Sequence, residues 1–375
     1  TILGQVLLQE GFSVVGLDTG FYRNGWLYNG VTRVPEIITK DTRKVTLNDL
    51  KGFDAIVHLA ELSNDPLGQN NPEVTYDINH HGTVQLATLA KQAGVKRFIY
   101  YSSCSVYGAS DGISDENSST NHLTAYAKCK VLNEEALQKM ADDTFTPVIF
   151  RNATVYGASP RMRFDIAVNN LCGVAWTTKE IALESDGSAW RPFVHVQDVA
   201  HATVCALNAS QEKVHNEIFN IGTQKSNYTI KEIATEIKKI FTGCQISFNT
   251  TVTDKRNYRA SFEKIATKLP GFAPKYTLQK GDVYYESSSK YKQYNHDLSG
   301  TVVSSDKPIA FITGSQCAQV PKGANFCDVL MEMIPSVDYL GTEYIVPALP
   351  ERKASSIRIV ASKPNTRVTL NDKPL

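Results

Sequence analysis

The sequence lacks long apolar runs, an excess of one charge and any clustering of its cysteines. No hydrophobic stretch approaches the ~20 residues of a membrane-spanning helix, so no membrane association is predicted. The formal net charge of +1 gives no basic footprint for nucleic acid, which is not expected as a partner. Five cysteines have no metal-ligand spacing, so we predict no metal site and interpret them as reduced and mostly packed. They are Cys104, Cys129, Cys172, Cys205 and Cys244.

The first part of the chain contains a repeated alternation of helix and strand patterns. Apolar residues at helical spacing occupy residues 1–10, 74–93 and 123–141. Short apolar strands occupy residues 12–18, 53–60, 97–102 and 147–150. Continuous apolar strands between amphipathic helices are typical of a parallel sheet covered on both faces. The sequence therefore predicts an α/β, doubly wound fold.

The alternation changes after about residue 275. Five short apolar segments follow, separated by Gly, Pro, Asp and Asn, with one candidate helix over residues 326–333. This pattern indicates an all-β region, so a domain boundary is expected within residues 275–290. The predicted strands are 301–305, 309–313, 344–347, 357–362 and 366–370.

Tyr126 and Lys130 form a candidate catalytic pair near the start of a predicted helix. Their i, i+4 spacing puts both side chains on one face, one turn apart. A phenol has a pKa of about 10 and is a poor base at neutral pH, but a neighbouring ammonium lowers that pKa. The tyrosine can then take a proton from a hydroxyl while hydride leaves the same carbon. Ser103, at the end of the upstream strand, can hydrogen-bond the reacting oxygen. Without further context, an exposed tyrosine beside a solvated lysine is the commoner interpretation.

The segment 102–108, Ser-Ser-Cys-Ser-Val-Tyr-Gly, supplies that context. It resembles the Ser-Ser-x-x-Val-Tyr-Gly motif of the extended short-chain dehydrogenases/reductases, which include nucleotide-sugar epimerases and dehydratases. The resemblance implies that Ser103, Tyr126 and Lys130 are catalytic. Residues 151–157 and 191–198 also resemble family segments, and the resemblance covers about residues 1–275.

The resemblance implies NAD as cofactor. The residues expected to contact it are Asp18, Asp41, Thr42, Leu59, Ala60, Asn79, Tyr126 and Lys130. Asp18 ends the second strand of the family's pattern, where a carboxylate accepts hydrogen bonds from a free ribose 2′-hydroxyl and repels a 2′-phosphate. This placement favours NAD over NADP.

The glycine-rich loop that cradles the cofactor phosphates is missing from the sequence. The ribose-binding acid follows those glycines by about 20 residues, so we expect the first strand and its loop to lie immediately before Thr1, in a longer chain. Without the helix-start anion site, NAD affinity is expected to fall severely, which would leave this chain unable to use its catalytic residues.

Substrate contacts are expected from Ser103, Thr154, Asn170, Arg191 and Arg256. Thr154 stands where the family has a substrate-facing asparagine. The 4,6-dehydratases of the family have an Asp-Glu pair directly after the catalytic Ser/Thr, and this chain has Cys104 and Ser105 there. That difference favours a 4-epimerase acting on a UDP- or dTDP-hexose through a 4-keto intermediate. A 4-keto-sugar reductase and a 4,6-dehydratase are the alternatives. Phe164 and Trp176 are predicted to be core residues.

Residues from about 276 resemble a different family, the N-terminal domain of IgG Fc-binding proteins. The resemblance implies a β-rich extracellular module in which Cys317 and Cys327 would suit a disulfide. It raises an alternative of another class, an adhesion or binding protein. The expected location is cytoplasmic for residues 1–275 and secreted for the C-terminal module, and a homodimer is expected from the first family.

The expected domain organisation has three parts. Residues 1–160 and 190–222 form a Rossmann-type NAD-binding domain that lacks its first strand. Residues 161–189 and 223–275 form a smaller substrate-binding domain. Residues 276–375 form the β-rich module.

Overall fold

The structure is a computed structural model. It describes residues 1–27, 34–63, 65–251, 254, 256–272, 311–318, 328–334, 369–370 and 373–374. The chain divides into two compact units, Thr1–Tyr284 and Tyr285–Leu375.

The first unit alternates helices and strands. Its helices are α1 Ile2–Gln9, α2 Leu47–Leu50, α3 Asp65–Asn70, α4 Pro72–Tyr76, α5 Gly82–Gln92, α6 Ala125–Met140, α7 Ala167–Thr178, α8 Val196–Asn208, α9 Gln211–Val214, α10 Ile230–Ile240 and α11 Glu263–Lys268. Its strands are β1 Val15–Asp18, β2 Glu36–Thr39, β3 Ala55–His58, β4 Arg97–Ser103, β5 Ala109–Ser114, β6 Thr146–Asn152, β7 Thr154–Tyr156, β8 Glu180–Leu183, β9 Trp190–His195, β10 Glu217–Ile221, β11 Asn227–Thr229, β12 Gln245–Phe248 and β13 Asn257–Ala260.

Four parallel strands form the main sheet, in the order β10–β6–β4–β3. Alternate residues of β4 enter different cores: Phe98 and Tyr100 pack with Phe145 in one cluster, whereas Ile99 packs with Phe150 in another. Both faces of the sheet are therefore covered, and the predicted doubly wound α/β fold is confirmed.

The sheet is divided beside β3. β1 and β2 form a parallel pair of their own. In the doubly wound strand order, a further strand lies between the strands that correspond to β1 and β3. Within the described ranges, no strand pairs with β1 other than β2 or with β3 other than β4.

The helix predicted over residues 74–93 is interrupted. α4 and α5 flank a π-helical turn, Asp77–His81, and Asn79 is fully buried in it. The Asn79 side chain accepts a hydrogen bond from the Leu62 amide at 2.8 Å and donates one to the Leu62 carbonyl at 3.0 Å. The turn therefore fixes the segment that follows β3.

A smaller cluster of elements lies beside the main sheet. β7 pairs with β9, which pairs with β11, and β8 pairs with β12. α7, α10 and this last pair enclose a separate core that includes Leu171, Ile181 and Ile237. Phe164 and Trp176, predicted as core residues, are instead 44% and 69% exposed, so that prediction is wrong. Apolar character alone did not show that both lie on the outer side of this cluster.

The second unit is described only in short pieces. β14 Phe311–Ala318 and β15 Asp328–Ile334 form an antiparallel pair, and β16 Thr369–Leu370 pairs with β17 Lys373–Pro374. The helix predicted over residues 326–333 is wrong, because β15 occupies most of it. The strands predicted at 301–305, 344–347 and 357–362, and Cys327, lie outside the described residues, as does the side chain of Cys317.

Candidate active site

Tyr126 and Lys130 lie on the first turns of α6, which packs against the end of β4. The helix begins at Ala125 because the Thr124 hydroxyl accepts a hydrogen bond from the Ala127 amide at 3.2 Å. The Lys130 ammonium is 3% exposed, donates to the Tyr101 carbonyl of β4, and lies 5.2 Å from the centroid of the Tyr126 ring. A buried positive charge at this distance favours the phenolate form of a tyrosine.

Ser103 is brought to the same edge of the sheet. It is the last residue of β4, two residues after Tyr101, and its side chain is half-buried. Its oxygen accepts a hydrogen bond from the Ser105 amide at 3.1 Å, which caps the 3-10 turn Cys104–Tyr107. The hydroxyl hydrogen remains free to rotate towards a bound oxygen. The structure thus gathers all three predicted catalytic residues around the carboxyl end of β4.

Gly108 ends this turn and explains the glycine of the motif. Its φ is +62°, and a Cβ built on it would lie 1.7 Å from the Asn121 carbonyl oxygen. The Asn121 amide donates to the Val106 carbonyl at 2.8 Å, so the loop leading to α6 is held directly over the glycine. The absence of a side chain at Gly108 lets this loop deliver Thr124 to its capping position.

We expect Gly108→Ala to destabilise the first unit by about 2 kcal/mol or more, because backbone has to move and the left-handed conformation disfavours a side chain. Gly112→Ala is the matched control, since no atom lies within 4 Å of its built Cβ. Thermal unfolding followed by tryptophan fluorescence checks both. Equal melting temperatures for the two variants would contradict the role assigned to Gly108.

Glu61 was missed by the sequence reasoning. It comes three residues after the end of β3, its side chain is 2% exposed, and its Oε2 lies 2.5 Å from the Lys130 ammonium. Tyr100 of β4 donates to its Oε1 at 2.7 Å. An acid directly after a buried apolar strand was the available signal, because the carboxyl ends of parallel strands converge on the binding crevice.

The residues expected to meet the cofactor ribose are accessible. Asp18 is exposed at the end of β1 and accepts a hydrogen bond from the Gly20 amide at 2.6 Å, which leaves carboxylate lone pairs for a hydroxyl. Leu59, directly after β3, is 49% exposed, and Ala60 beside it is half-buried. An exposed leucine at the carboxyl edge of a parallel sheet fits a surface on which an adenine dinucleotide lies. These residues fit NAD.

Asp41 and Thr42 begin a 3-10 turn at the outer side of this crevice. The Asp41 carboxylate is held by Arg43, whose Nη2 lies 2.6 Å away and whose amide donates at 2.9 Å. These hydrogen bonds hold the pKa of Asp41 below its usual value. Arg43 also pairs with Asp77 at 2.5 Å, which ties the turn to the π-helical segment that holds Asn79. In this structure Asp41 and Asn79 therefore hold in place the segments that follow β2 and β3.

Arg191 and Arg256 share one carboxylate. Arg191 is 8% exposed, and its Nη2 lies 2.6 Å from Asp254 Oδ2. The Nε of Arg256 lies 3.1 Å from Asp254 Oδ1, and Arg191 also donates to the Trp190 and Arg256 carbonyls. Two guanidinium groups against one carboxylate leave a net positive charge. Sequence reasoning predicted the two arginines and missed Asp254.

This cluster is connected to the start of α6. Arg256 lines a shallow cleft together with Ser105 and Thr124. The structure therefore brings Arg256, one of the predicted substrate contacts, to the edge that carries Ser103 and Tyr126.

Thr154 and Asn170 lie in the neighbouring elements. Thr154 begins β7 and is paired in register with Phe193 of β9. Asn170, on α7, is exposed and donates to the Phe164 carbonyl at 2.8 Å. The adjacent Asn169 is buried and accepts from the Gly157 amide at 3.2 Å, so it supports the loop after β7. The role of Thr154 and Asn170 in substrate binding stays a prediction.

Among the described residues, no helix is both long enough and apolar enough to span a membrane. The same part of the chain contains no group of three His, Cys, Asp or Glu side chains arranged as metal ligands.

Sequence and structure comparisons identify relatives of the first unit. A UDP-glucuronate 4-epimerase of Thermodesulfobacterium geofontis is 26% identical over 295 residues, which are 74% of this chain and 89% of that protein. The human UDP-glucose 4-epimerase is 26% identical over 62% of this chain and 76% of its own length. The crystal structure of a UDP-glucuronic acid 4-epimerase from Bacillus cereus, with UDP-glucuronic acid and NAD, is 26% identical. It matches with a TM-score of 0.63 over 74% of this chain and 90% of that one.

Two family models match the sequence. Residues 233–375 match the model of the IgGFc binding protein family. This match begins within α10, earlier than the boundary predicted near residue 276. Residues 2–222 match the model of the NAD dependent epimerase/dehydratase family. Since this second match covers more than half of the chain, and the catalytic pair, the crevice and the parallel sheet agree with it, the protein belongs to the NAD-dependent epimerase/dehydratase family of extended short-chain dehydrogenases/reductases.

Proposed function

We propose that the first unit is an NAD-dependent nucleotide-sugar 4-epimerase that acts on a UDP- or dTDP-hexose. The observation that carries the proposal is the Lys130 ammonium, buried against the end of β4 and 5.2 Å from the Tyr126 ring centroid, with Ser103 on the same strand end. This arrangement provides one base and one hydrogen-bond donor for a single sugar hydroxyl, which is what oxidation at one carbon requires.

The residues after Ser103 argue against dehydration. Elimination of water needs an additional acid and base beside the sugar. Cys104 is 1% exposed, and its Sγ donates to the Arg151 carbonyl at 3.2 Å, so it points into the protein. Burial raises the pKa of the Cys104 thiol well above its usual value. Ser105 does not titrate in the physiological range. Epimerization therefore fits this site better than 4,6-dehydration does.

The proposed reaction assigns each residue one task. Tyr126, as a phenolate, accepts the proton of the sugar 4-hydroxyl, while Ser103 hydrogen-bonds the same oxygen and Lys130 stabilises the negative charge on Tyr126. When bound, NAD would supply reversible hydride transfer at C4, and rotation of the 4-keto sugar between the two transfers would invert that carbon. Tyr126 then returns its proton to the new hydroxyl. Atoms and charge balance over the cycle, and the cofactor ends in its starting form.

The substrate diphosphate is proposed to lie near Arg191, Arg256 and Asn170, with Thr154 on the sugar side. A diphosphate can take over the hydrogen bonds of Asp254, because bidentate Arg–phosphate pairs have the same fork geometry as Arg–carboxylate pairs. Relatives in this family bind such ligands: MoeE5, 25% identical with a TM-score of 0.63 over 75% of this chain, is described in complex with UDP-glucose and NAD. A homodimer stays a prediction.

The direct test is to incubate the full chain with NAD and, separately, UDP-glucose, UDP-glucuronate and dTDP-glucose, and to follow C4 inversion by proton NMR. We expect the C4 epimer of at least one of them. Because the sequence has no glycine loop, the assay includes NAD at millimolar concentration. A 4-keto-6-deoxy product would point to the dehydratase alternative. Binding to IgG Fc without any sugar turnover would favour the binding-protein alternative, which the family match over residues 233–375 raises.

A further inference from the structure

Glu61 makes an ion pair with the catalytic lysine in the interior of the protein. The side chains of Glu61 and Lys130 are 2% and 4% exposed, and the distance from Oε2 to Nζ is 2.5 Å. The other carboxylate oxygen of Glu61 accepts a hydrogen bond from Tyr100 at 2.7 Å. Tyr100 in turn accepts one from the Asn133 side chain at 2.8 Å. The carboxylate is therefore held in one place by a chain of buried hydrogen bonds.

The ammonium has three N–H bonds to direct. One is donated to the Tyr101 carbonyl, and Glu61 Oε2 lies 2.5 Å from the nitrogen as its ion-pair partner. The Tyr126 ring centroid lies 5.2 Å from the ammonium nitrogen. The Tyr101 carbonyl and the Glu61 carboxylate together fix the position of the ammonium beside Tyr126.

Other charged and titratable groups surround this pair, but they are committed elsewhere or neutral. Glu134, on the same face of α6, forms an ion pair with Arg151 at 2.7 Å. His58 on β3 is buried beside the lysine, and this burial lowers its pKa to about 3, so it carries no charge. Arg163 interacts electrostatically with Tyr126, but its guanidinium forms an ion pair with Asp165 at 2.6 Å.

Tyr100 also faces the lysine, with its ring centroid 4.7 Å from Nζ, and burial raises its pKa, so it stays neutral. Cys129, directly before Lys130 on α6, is likewise held neutral because burial raises its pKa to about 11. Glu61 is therefore the carboxylate that pairs with Lys130, whereas Glu134 pairs with Arg151.

We propose that Glu61 is a positioning residue for the catalytic pair: it is the counter-ion that keeps the buried Lys130 ammonium charged and directed towards Tyr126. An isolated ammonium in a dry environment loses its proton, because burial disfavours the charged form. A neutral amine would not stabilise a phenolate. The proposal rests on the role that the proposed function gives to Lys130, and it adds a residue that the Ser103–Tyr126–Lys130 motif does not contain.

The titration behaviour agrees with this geometry. Burial alone would lower the pKa of Lys130, but the charges of Glu61 and Tyr126 outweigh it and raise that pKa above its usual value. Burial also raises the pKa of the Glu61 carboxyl, against the attraction of Lys130. Lys130 therefore stays protonated to a higher pH than its burial alone would allow, and Glu61 is the largest contributor to that effect.

The test measures the ionisation of Lys130 in the full chain without any substrate. The protein is labelled with [13Cε]lysine, the Lys130 signal is assigned with Lys130→Met, and its chemical shift is followed from pH 6 to pH 11. In Glu61→Gln we expect the Lys130 pKa to fall by roughly 2 units or more, as for a buried amine without a counter-ion. Glu61→Asp keeps the charge and is expected to retain most of the wild-type pKa.

Glu135→Gln is the matched control, because Glu135 is exposed on the same helix and its loss removes the same charge. We expect the Lys130 titration to be unchanged there. An unchanged titration in Glu61→Gln, with the fold intact by circular dichroism, overturns the proposal. If Glu61→Gln does not fold, Glu61→Asp decides. A Lys130 pKa in Glu61→Asp equal to that of a solvent-exposed lysine also overturns the proposal.

This experiment separates the two proposals. A lowered Lys130 pKa in Glu61→Gln, together with an absence of C4 inversion in the wild-type chain, supports the counter-ion and refutes the epimerase. Turnover in wild type with an unshifted Lys130 in Glu61→Gln supports the epimerase and refutes the counter-ion.

Discussion

Replacing Tyr126 by phenylalanine is expected to lower the rate of C4 inversion by about 10²–10⁴-fold, because the reaction then has no positioned base for the sugar hydroxyl. The ring remains, so its contact with the Lys130 ammonium at 5.2 Å from the ring centroid is kept. The loss should therefore fall on kcat, with a small effect on KM. Progress curves by proton NMR, with the sugar at several concentrations, measure both constants.

Tyr76→Phe is the matched control for this substitution. Tyr76 is half-buried, ends α4, and lies 5.8 Å from the amine of Lys128 on the same helix α6, but it is outside the catalytic pair. We expect its activity to stay near that of the wild type. Full activity in Tyr126→Phe would show that Tyr126 is not the base and would remove the main support for the proposed reaction.

The convergence of Ser103, Tyr126 and Lys130 was predictable from the sequence for a physical reason. The i, i+4 spacing fixes Tyr126 and Lys130 on one helix face, and a parallel sheet gathers the ends of its strands at one edge. The packing of α6 on β4 that joins them follows from the doubly wound topology. The α/β class was predictable from the same strand and helix periods.

The partners of these residues could not be predicted, because they depend on tertiary contacts between distant segments. Glu61 and Lys130 are separated by three helices and two strands, α3 to α5 with β4 and β5. Asp254 meets Arg191 because β9 and β13 pack together. The π-helical turn around Asn79 was also missed, since the sequence has a continuous helical period there. In each case a side chain contacts a charge or a backbone group that is distant in the sequence, and the local pattern does not contain that contact.

The second unit shows a different limit of the sequence. The segment 326–333 is apolar enough for either a helix or a strand, and a short run of this kind does not separate the two. In the structure β15 pairs with β14, so partner contacts decided the outcome. The all-β character of the whole unit stays a prediction.

The buried ion pair between Arg151 and Glu134 supports the strand ends that carry the site. Arg151 on β6 is 5% exposed, and its Nη2 lies 2.7 Å from a Glu134 oxygen. The other oxygen of Glu134 accepts from Ser102 at 2.5 Å, and Arg151 donates to the Tyr107 hydroxyl at 3.0 Å. The network thus ties α6 to the last residues of β4 and to the 3-10 turn after Ser103. Removing one charge leaves the other buried and unpaired.

We therefore expect Arg151→Met to lower the free energy of unfolding of the first unit by about 3–5 kcal/mol. The double variant Arg151→Met, Glu134→Met should be more stable than Arg151→Met, because neither charge is then buried alone. Lys239→Met breaks an exposed pair with Glu236, whose side chains are 65% and 57% exposed, and should have little effect. Urea denaturation followed by tryptophan fluorescence measures all three, since Trp26, Trp176 and Trp190 all lie in the first unit. A double variant less stable than the single one would mean that the pair contributes through packing rather than through the balance of its charges.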